Sequence, residues 1–382
     1  MARKTPSSKI LPEAGLTFDD VLLLPGYTDF SRKQVDLSVK LHSTIALKLP
    51  ILSSPMATVP ESDMAILLSM RGGLGIIHRN LSIADQTAMV RLVKGASISD
   101  PSASSVDLEG NLLVGAAVGV GADFEERVEK LIGADVDVLC IDSGHGNTSY
   151  MVEGIKQIKR ISPKMPVMAG NVATAEGAKR LVAAGVDIIR VGMGPGSICT
   201  TRVITGMGVP QITAIMEACK GVAGSKATVI ADGGIRQMGD IAKAIAAGAD
   251  AVMLGSMFAG FSQSPGEQVE LNGQLFKKYR GMGSLGAMKK GGAERYGQSV
   301  QTPDKKLIAE GVEGLVPFKG SGDDFLEQVA GSLRSALYYI GTETLPEFQK
   351  QAQFIKMSSA GLRESHPHTL TTIMNPGANY FS

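Results

Sequence analysis

The sequence predicts an α/β protein built as a (β/α)8 TIM barrel, with a long flap after the eighth strand. Short apolar runs rich in β-branched residues recur along the chain. Fully apolar runs that alternate with helices are typical of parallel strands covered on the outside. Eight such runs favour closure into a barrel over a doubly wound open sheet, which stays the alternative. The runs are 50–54, 74–78, 113–118, 136–142, 167–170, 188–192, 228–232 and 251–255.

Helical segments are predicted between most of these strands. The sequence Ala-Gly-x-Asp recurs at 184–187 and 247–250, just before two of the strands. Glycine at such a place is typical of a helix C-cap that leads into the next strand. The C-terminal strand ends of such a barrel form the active site, so we expect the chemically active residues there. The predicted helices are 61–70, 123–132, 149–161, 175–184, 211–220 and 238–247.

The composition fits one globular domain over residues 1–382. Hydrophobic residues make up 44% of the chain and charged residues 20%, which are ordinary proportions for a soluble globular protein. A chain of 382 residues also has room for two ordinary domains, but a single series of eight strands favours one barrel. The formal net charge is +1, so no electrostatic argument supports a nucleic acid or a membrane as partner.

No targeting or membrane segment is predicted. Residues 1–9 are polar and lack the apolar core of a signal peptide. The most apolar stretch, 245–261, contains Asp250 and several glycines, so it predicts a helix end and a buried strand. The three cysteines show neither a disulfide pattern nor metal-ligand spacing. We therefore expect a cytoplasmic protein with reduced thiols.

Two segments interrupt the alternation of strands and helices. Residues 95–112, between the second and third strands, begin with a polar, serine-rich run that predicts a short, flexible linker. Residues 276–320, after the eighth strand, are rich in Gly, Lys and Gln without a sustained apolar period. A segment this long outside a barrel is usually functional, so its middle, 289–310, is the predicted mobile flap. The alternative for this segment is a disordered insertion.

Cys199 is the residue that best predicts chemistry. It ends a loop at 192–199 in which three glycines and a proline exclude a regular element and let the backbone approach a ligand. The neighbouring Arg202 would favour the thiolate, which is the nucleophilic form of cysteine. A buried structural cysteine is the alternative. Cys140 lies mid-strand and Cys219 on a helix, so both are predicted to be structural.

Seven stretches resemble, in order, motifs of the IMP dehydrogenase / GMP reductase family. The most specific is the loop around Cys199, Gly-Pro-Gly-Ser-Ile-Cys-Thr-Thr-Arg. The resemblance extends from about residue 16 to the C-terminus and implies the barrel fold. The family usually carries a regulatory pair of CBS modules where residues 95–112 lie, so regulation through those modules should be absent. The matching stretches are 16–20, 53–56, 194–202, 231–236, 253–256, 279–284 and 295–296.

The resemblance implies how IMP would be oxidised. The Cys199 thiolate adds to C2 of the hypoxanthine ring, the C2 hydride passes to NAD, and water then hydrolyses the covalent thioimidate to XMP. Arg295, next to Tyr296 in the flap, is the implied general base for that water. Thr201 and Glu310 are the implied second proton route.

The resemblance also assigns binding residues. Asp232 would bind the ribose hydroxyls. Asp142 would hold the nicotinamide ribose of NAD, and Asn171 would fix the loop geometry nearby. The other residues expected to contact substrate are Ser197, Gly234, Gly255 and Ser256 at the phosphate, and Tyr279, Gly281, Met282, Gly283 and Glu310. The other residues expected on the NAD side are Ser143, Gly192 and Gly194.

A monovalent cation site is implied as well. The carbonyls of Gly194, Gly196 and Cys199 resemble the family's potassium ligands. A neighbouring subunit would complete the site through residues such as Glu364, Ser365 and His366, which implies a homotetramer. A transition-metal site at His366 and His368 is not expected, because no acid lies at a suitable spacing.

Three other functions stay open from the residues. GMP reductase shares the barrel, Cys199 and Thr201, but uses NADPH, releases ammonia and lacks the Arg295-Tyr296 pair. A flavin-dependent barrel oxidoreductase would share the phosphate-binding stretches, without needing the Cys199 loop. A nucleotide-binding scaffold would bind ligand without turnover.

Overall fold

Eight parallel strands form a barrel around a core of apolar side chains. The computed structural model describes residues 9–298, 302–303 and 306–369. The barrel strands follow one another around the sheet in chain order, and the parallel bridge between Leu52 and Leu74 closes it. The strands are β1 (Val21–Leu23), β2 (Val39–His42), β3 (Ile45–Leu47), β4 (Ile51–Ser53), β5 (Gly75–Ile77), β6 (Val114–Val118), β7 (Val138–Asp142), β8 (Val167–Val172), β9 (Ile188–Val191), β10 (Thr228–Asp232), β11 (Ala251–Leu254), β12 (Gln268–Leu271), β13 (Gln274–Arg280), β14 (Glu313–Pro317) and β15 (Phe354–Lys356).

Helices cover the outside of the barrel. The eight predicted strands are confirmed as β4–β11 and the six predicted helices as α1, α3–α5, α7 and α8. Two long helices were not predicted, α2 and α11. In the described chain, no helix combines the length and the apolar character needed to cross a bilayer. The helices are α1 (Ser62–Met70), α2 (Ile83–Lys94), α3 (Phe124–Ile132), α4 (Ser149–Ile161), α5 (Ala175–Ala183), α6 (Thr201–Thr205), α7 (Gln211–Val222), α8 (Met238–Ala246), α9 (Ser256–Ala259), α10 (Leu285–Lys289), α11 (Asp323–Ile340), α12 (Leu345–Gln351) and α13 (Ser359–Glu364).

The strands are apolar on both faces because each face packs against a different layer. In β7, Cys140 belongs to the cluster inside the barrel, whereas Leu139 and Ile141 belong to the cluster between strands and helices. This alternation explains why the strand runs are mostly apolar. It also confirms that Cys140 is a core residue.

An aspartate stands at the start of every second strand of the barrel from β7 onward. Asp250, just before β11, accepts the N–H of Val229 at 2.7 Å and donates its own N–H to the Val229 carbonyl. Asp137 and Asp187 bind Val114 and Val167 in the same two ways. Each aspartate therefore satisfies both backbone groups of one residue on the preceding strand. We call these three residues the aspartate pegs.

The segment 95–112 is short, as predicted, but it is tied to the barrel rather than being free of contacts. Lys94, at the end of α2, pairs with Asp107 at 2.8 Å and with Asp137 at 2.7 Å. Ser105 is buried, and its N–H donates to the carbonyl of Ser69 at 2.8 Å. The expectation of a flexible connection is therefore wrong in this respect, because polar residues of the linker bind buried groups of the barrel.

After the barrel, the chain forms a three-stranded antiparallel sheet of β12, β13 and β14. This sheet begins at Gln268, ahead of the predicted boundary at 276. Between β13 and β14 lie α10 and a 3-10 turn over Gly292–Tyr296. Met288, Ala293 and Leu307 form a small apolar cluster here, with Tyr296 packed against it. Of the predicted flap 289–310, residues 299–301 and 304–305 lie outside the described residues.

Candidate active site

A cavity of about 580 Å³ opens at the C-terminal ends of the barrel strands. Its walls come from the barrel loops and from the segment between β13 and β14. Most of the predicted site residues line it: Gly192, Gly194, Gly196, Ser197, Cys199, Thr201, Asp232, Gly234, Gly255, Ser256, Tyr279, Gly281, Met282, Gly283, Arg295, Tyr296 and Glu310. The predictions that fall outside the lining are Asp142, Ser143, Glu364, Ser365 and His366.

Cys199 heads a hydrogen-bond relay. Its Sγ donates to Thr201 Oγ1 at 3.2 Å, and Thr201 Oγ1 donates to Glu310 Oε2 at 2.8 Å. The backbone holds the ends of this relay together, since Thr200 donates its N–H to the Glu310 carbonyl at 2.9 Å and Cys199 forms an antiparallel bridge with Gly311. A thiol, a hydroxyl and a carboxylate in this order provide a path for a proton away from sulfur.

The other two thiols are unsuited to nucleophilic chemistry. Cys140 is fully buried, and burial raises the pKa of its thiol. Burial also raises the pKa of the Cys219 thiol to about 12, and its Sγ donates to the Gly248 carbonyl at 3.2 Å. A thiolate is the reactive form of cysteine. Cys199, by contrast, is half-buried and lines the cavity, so its thiol can reach a ligand bound there.

Arg202 binds the backbone of the loop and not the Cys199 thiol. Its guanidinium donates to the carbonyl of Met193 at 3.1 Å and to that of Val209 at 2.6 Å. The prediction that Arg202 promotes the Cys199 thiolate is not supported by these contacts, because its hydrogen bonds are made to backbone oxygens. The role that the contacts give it is to fix the shape of the loop.

The opposite wall, between the last two barrel strands, is built from backbone and hydroxyl groups. Gly255 precedes the short helix α9, and a Cβ there would lie 3.2 Å from the Tyr279 hydroxyl. Burial raises the pKa of the Tyr279 phenol, and a hydrogen bond with Ser197 opposes that rise. Gly234 has φ +82°, a conformation that favours glycine. Backbone N–H groups and hydroxyls at strand ends of this kind suit a phosphate.

A buried arginine connects the two predicted ribose ligands. Arg190, on β9, contacts Asp142 through Nη1 and Asp232 through Nη2, both at 2.7 Å. Asn171 donates Nδ2 to the same Asp232 Oδ2 at 2.8 Å. Arg190 is 1% exposed, so this cation depends on its two carboxylates.

Sequence reasoning missed Arg190, although a signal was present. It is the single charged residue in the apolar run Ile-Ile-Arg-Val-Gly at 188–192. A charge in a strand that is buried on both faces needs a partner, so such a residue indicates a buried network. The two carboxylates that Arg190 would require were already identified at the ends of β7 and β10.

The flap contacts the same network. Arg295 forms an ion pair with Asp142, and its carbonyl accepts the N–H of Gly144 at 3.1 Å. Burial raises the pKa of the Tyr296 phenol; Arg295 opposes this rise, whereas Cys199 and Glu310 add to it. Arg295 and Tyr296 thus face the relay that begins at Cys199. In this arrangement the Asp142 carboxylate is covered by the flap, which explains why it does not line the cavity.

The remaining predictions concern cations. The Gly196 carbonyl accepts the N–H of Cys199 at 3.1 Å, so the expected potassium ligands sit in a tight turn. Backbone carbonyls are suitable ligands for such an ion. Glu364 ends α13, and Ser365 and His366 follow it away from the cavity lining of this chain. Within the described residues, no group of three His, Cys, Asp or Glu side chains is placed to hold a metal.

Comparison with known proteins agrees with this geometry. A model of the IMP dehydrogenase / GMP reductase domain matches residues 15–368. The inosine-5'-monophosphate dehydrogenase of Borreliella burgdorferi is 43% identical over 403 aligned residues, which cover 96% of this chain and 99% of that protein. The enzymes of that name from Rhodopirellula baltica and Bacillus subtilis are 40% and 38% identical; each alignment covers 96% of this chain, and 88% and 98% of those proteins.

The lengths of these alignments differ. Those with the Rhodopirellula and Bacillus proteins extend over 481 and 480 residues, whereas this chain has 382, so both relatives contain residues without a counterpart here. The Borreliella alignment extends over only 403 residues. The identity and the coverage, together with the barrel and its cysteine site, show that the chain belongs to the IMP dehydrogenase / GMP reductase family and is an IMP dehydrogenase-type oxidoreductase within it.

Proposed function

We propose that this chain oxidises IMP to XMP with NAD as hydride acceptor, through a covalent bond between Cys199 and the purine. The observation that carries the proposal is the relay from Cys199 through Thr201 to Glu310, with Arg295 and Tyr296 facing it across one cavity. A nucleophile, a proton path and a second polar group on the opposite side are what a two-step oxidation and hydrolysis require.

The substrate would be held by its sugar and phosphate. Asp232 lines the cavity, and its position is fixed by Arg190 and Asn171, so the carboxylate can accept hydrogen bonds from ribose hydroxyls. The phosphate would bind near Gly234, Gly255 and Ser256, with Ser197 and Tyr279 beside it. The lining residues Gly281, Met282 and Gly283 would cover the base.

In the first half of the reaction, the Cys199 sulfur forms a bond to C2 of the purine. The thiol proton leaves along Thr201 toward Glu310, and the C2 hydrogen departs as hydride with its electron pair. NAD, when bound, accepts that hydride and so makes the step an oxidation. The product on the enzyme is a thioimidate in which C2 is bonded to Cys199.

In the second half, water attacks C2 and the bond to Cys199 breaks. Arg295 and Tyr296 would hold that water and take its proton, and Thr201 with Glu310 offers a second route. Arginine is an unusual general base because its pKa normally exceeds about 12, so the neutral form that can accept a proton is scarce. The place of Arg295 beside Tyr296, facing the relay from Cys199 to Glu310, is the support for this assignment.

The residues on the NAD side fit the cofactor, but Asp142 would bind the NAD ribose at one stage of the reaction and Arg295 at another. Asp142 is a buried carboxylate at a strand end, a suitable acceptor for two ribose hydroxyls, and Ser143 follows it. Gly192 and Gly194 both line the cavity, so their backbone can contact a planar ring there. Asp142 cannot bind Arg295 and a ribose at once. The flap must therefore leave before NAD binds and return for hydrolysis.

Three further assignments are part of the proposal. The carbonyls of Gly194, Gly196 and Cys199 would hold potassium, with Glu364, Ser365 and His366 of a neighbouring subunit completing the site in a homotetramer. Residues 95–112 would stand where relatives carry the CBS pair, in a single catalytic domain over 1–382 with its finger and flap at 276–320. A cytoplasmic location suits a free catalytic thiol.

The test is NADH absorbance in the near ultraviolet with IMP, NAD and potassium chloride. Sustained NADH formation is the expected result, and replacing potassium by sodium tests the cation in the same assay. Oxidation of NADPH with GMP, in the absence of any IMP oxidation, would replace the proposal by GMP reductase activity. That outcome would leave Arg295 and Tyr296 without a hydrolytic step to serve.

A further inference from the structure

Arg79 and Glu294 join the barrel to the flap at a place that the proposed chemistry does not use. Arg79 follows β5, at the C-terminal end of the second barrel strand, and its side chain is 8% exposed. Glu294 lies in the 3-10 turn that carries Arg295 and Tyr296. Arg79 Nη1 lies 4.0 Å from Glu294 Oε2.

Two glycines make room for this pair. Gly119 and Gly121 lie in the loop after β6, on the same rim of the barrel. A Cβ at Gly119 would lie 2.5 Å from Arg79 Nη1, and a Cβ at Gly121 would lie 2.5 Å from Glu294 Oε2. The Gly-Val-Gly sequence therefore presents bare backbone to both charged groups, and the flap can approach the rim closely.

The charges around Arg79 show what the flap contributes. Burial, and next the positive charge of Arg295, lower the pKa of the Arg79 guanidinium to about 10, whereas Glu294 acts in the opposite direction. Arg79 Nε is buried without a hydrogen-bond partner in the described residues. A cation in that position depends on a nearby carboxylate. Asp142 pairs with Arg295, and Glu294 lies within ion-pair distance of Arg79, where the barrel residue Asp123 also favours the cation. The seated flap therefore adds a carboxylate beside Arg79 while it places Arg295 against Asp142.

We propose that Arg79 and Glu294 form a latch that seats the flap on the barrel rim and so positions Arg295 and Tyr296 over Cys199. Neither latch residue lines the cavity, so Arg79 is a positioning residue. The kinetic consequence rests on the proposed function, because it is the hydrolytic half of the reaction that needs the seated flap. The docking itself does not depend on that function.

Hydrogen exchange tests the docking without any substrate. The Gly144 N–H donates to the carbonyl of Arg295, so its exchange reports how often the flap is unseated. Arg79→Gln and Glu294→Gln should each accelerate exchange in peptides that contain Gly144, by about fivefold for a partly exposed ion pair. Lys290→Gln is the matched control, since it removes an exposed flap charge outside the latch. Unchanged exchange at Gly144 in both latch variants would overturn the proposal.

Kinetics separate positioning from a general structural defect. With IMP and NAD, the first turnover of NADH measures hydride transfer, and the steady state then includes hydrolysis. Both latch variants should keep the burst rate within about twofold and lower the steady-state rate by about fivefold, while Lys290→Gln changes neither. The Arg79→Gln/Glu294→Gln double variant should lose no more than either single variant, because the two residues act as one pair. Burst and steady-state rates falling together, or additive losses, would contradict the latch.

The two proposals fail in different ways. If the wild-type chain produced no NADH, the proposed function would be wrong, and the exchange of Gly144 would still decide whether the latch exists. If NADH formed and the Gly144 exchange did not respond to either variant, the function would stand and the latch would not.

Discussion

The two walls of the cavity are built in different ways. The barrel wall holds Asp232, at the end of β10, with side chains from the two preceding strands, Arg190 on β9 and Asn171 on β8, and all three are buried. The flap wall carries Arg295 and Tyr296 on a short turn, seated by an ion pair with Asp142 and one backbone bond to Gly144. The wall expected to bind substrate is thus preformed. The wall expected to activate water would have to be withdrawn if Asp142 binds both Arg295 and the ribose of NAD, as we propose.

Removing the nucleophile should have the largest effect and should leave both walls intact. Cys199→Ala is expected to lower turnover by at least about 10⁴-fold, because both halves of the reaction need the covalent bond. IMP binding, followed by calorimetry, should survive because the barrel wall is unchanged. The matched variant Cys219→Ala, on helix α7, should keep full activity. Retained turnover in Cys199→Ala would rule out covalent catalysis.

Arg190→Met removes the cation that fixes Asp232 in the barrel wall. It leaves the buried Asp142 and Asp232 carboxylates without their shared cation, which should lower the free energy of unfolding by about 3–5 kcal/mol. Hydride transfer and hydrolysis should both slow, since both use the bound ribose. Arg180→Met, at a half-exposed arginine on α5, is the control. A fall in hydrolysis alone would show that Arg190 serves the flap rather than the barrel wall.

Arg295→Ala breaks the flap wall alone. Hydride transfer should be spared, whereas hydrolysis should slow by about 10²-fold, the usual contribution of one general base. NADH should therefore appear as a single burst of one equivalent, with the purine still bonded to Cys199. Mass spectrometry of the quenched protein would detect that adduct. Equal slowing of both steps would mean that Arg295 does not separate the two halves.

The smallest effect concerns the other end of the barrel. Burial raises the pKa of Asp250 to about 6, above its usual value of about 3.9. The folded state therefore keeps a proton that the unfolded chain has lost, and stability should fall as the pH rises from about 4 to 6. Asp250→Asn keeps the acceptor for Val229 and removes the charge. It should be more stable than wild type by about 1–3 kcal/mol at pH 7, with little difference at pH 4.

Unfolding midpoints between pH 4 and 7 measure that difference. Asp29→Asn, at an exposed aspartate, is the control and should follow the wild-type curve. Catalytic rates at pH 7 should not change in Asp250→Asn, because the peg lies at the opposite end of β11 from the cavity. Altered rates would show that the two ends of the barrel are coupled.

The barrel was predictable from sequence because its signals are local. Each strand is a short apolar run, and the Ala-Gly-x-Asp sequences mark strand starts, with Gly185 and Gly248 at φ +96° and +111° as expected after a helix. The helix α11 was not predicted because it follows a flap without a regular pattern. The three-stranded sheet was not predicted, and the segment after the barrel was expected to begin at 276 rather than at β12, because β12 is short and largely exposed.

A site residue could be predicted where its chemical type and its position in the sequence were informative by themselves. Cys199 is such a residue. Thr201 and Glu310, which it meets in the relay, were expected only from the resemblance to the family, and Glu310 lies 109 positions from Thr201. Pairings between distant segments could not be predicted from one sequence. The Arg295 pair with Asp142 and the Arg79 pair with Glu294 exist only because the flap folds back over the rim.

The aspartate pegs divide the barrel into modules of two strands. They join β6 to β7, β8 to β9 and β10 to β11, whereas the first pair, β4 and β5, is joined by Ser53, whose Oγ accepts the Ile76 N–H at 3.0 Å. Residues inserted between modules leave each peg beside its partner. The segment 95–112 lies between the first and second modules. A large insertion or a short linker at this junction is therefore compatible with the same barrel.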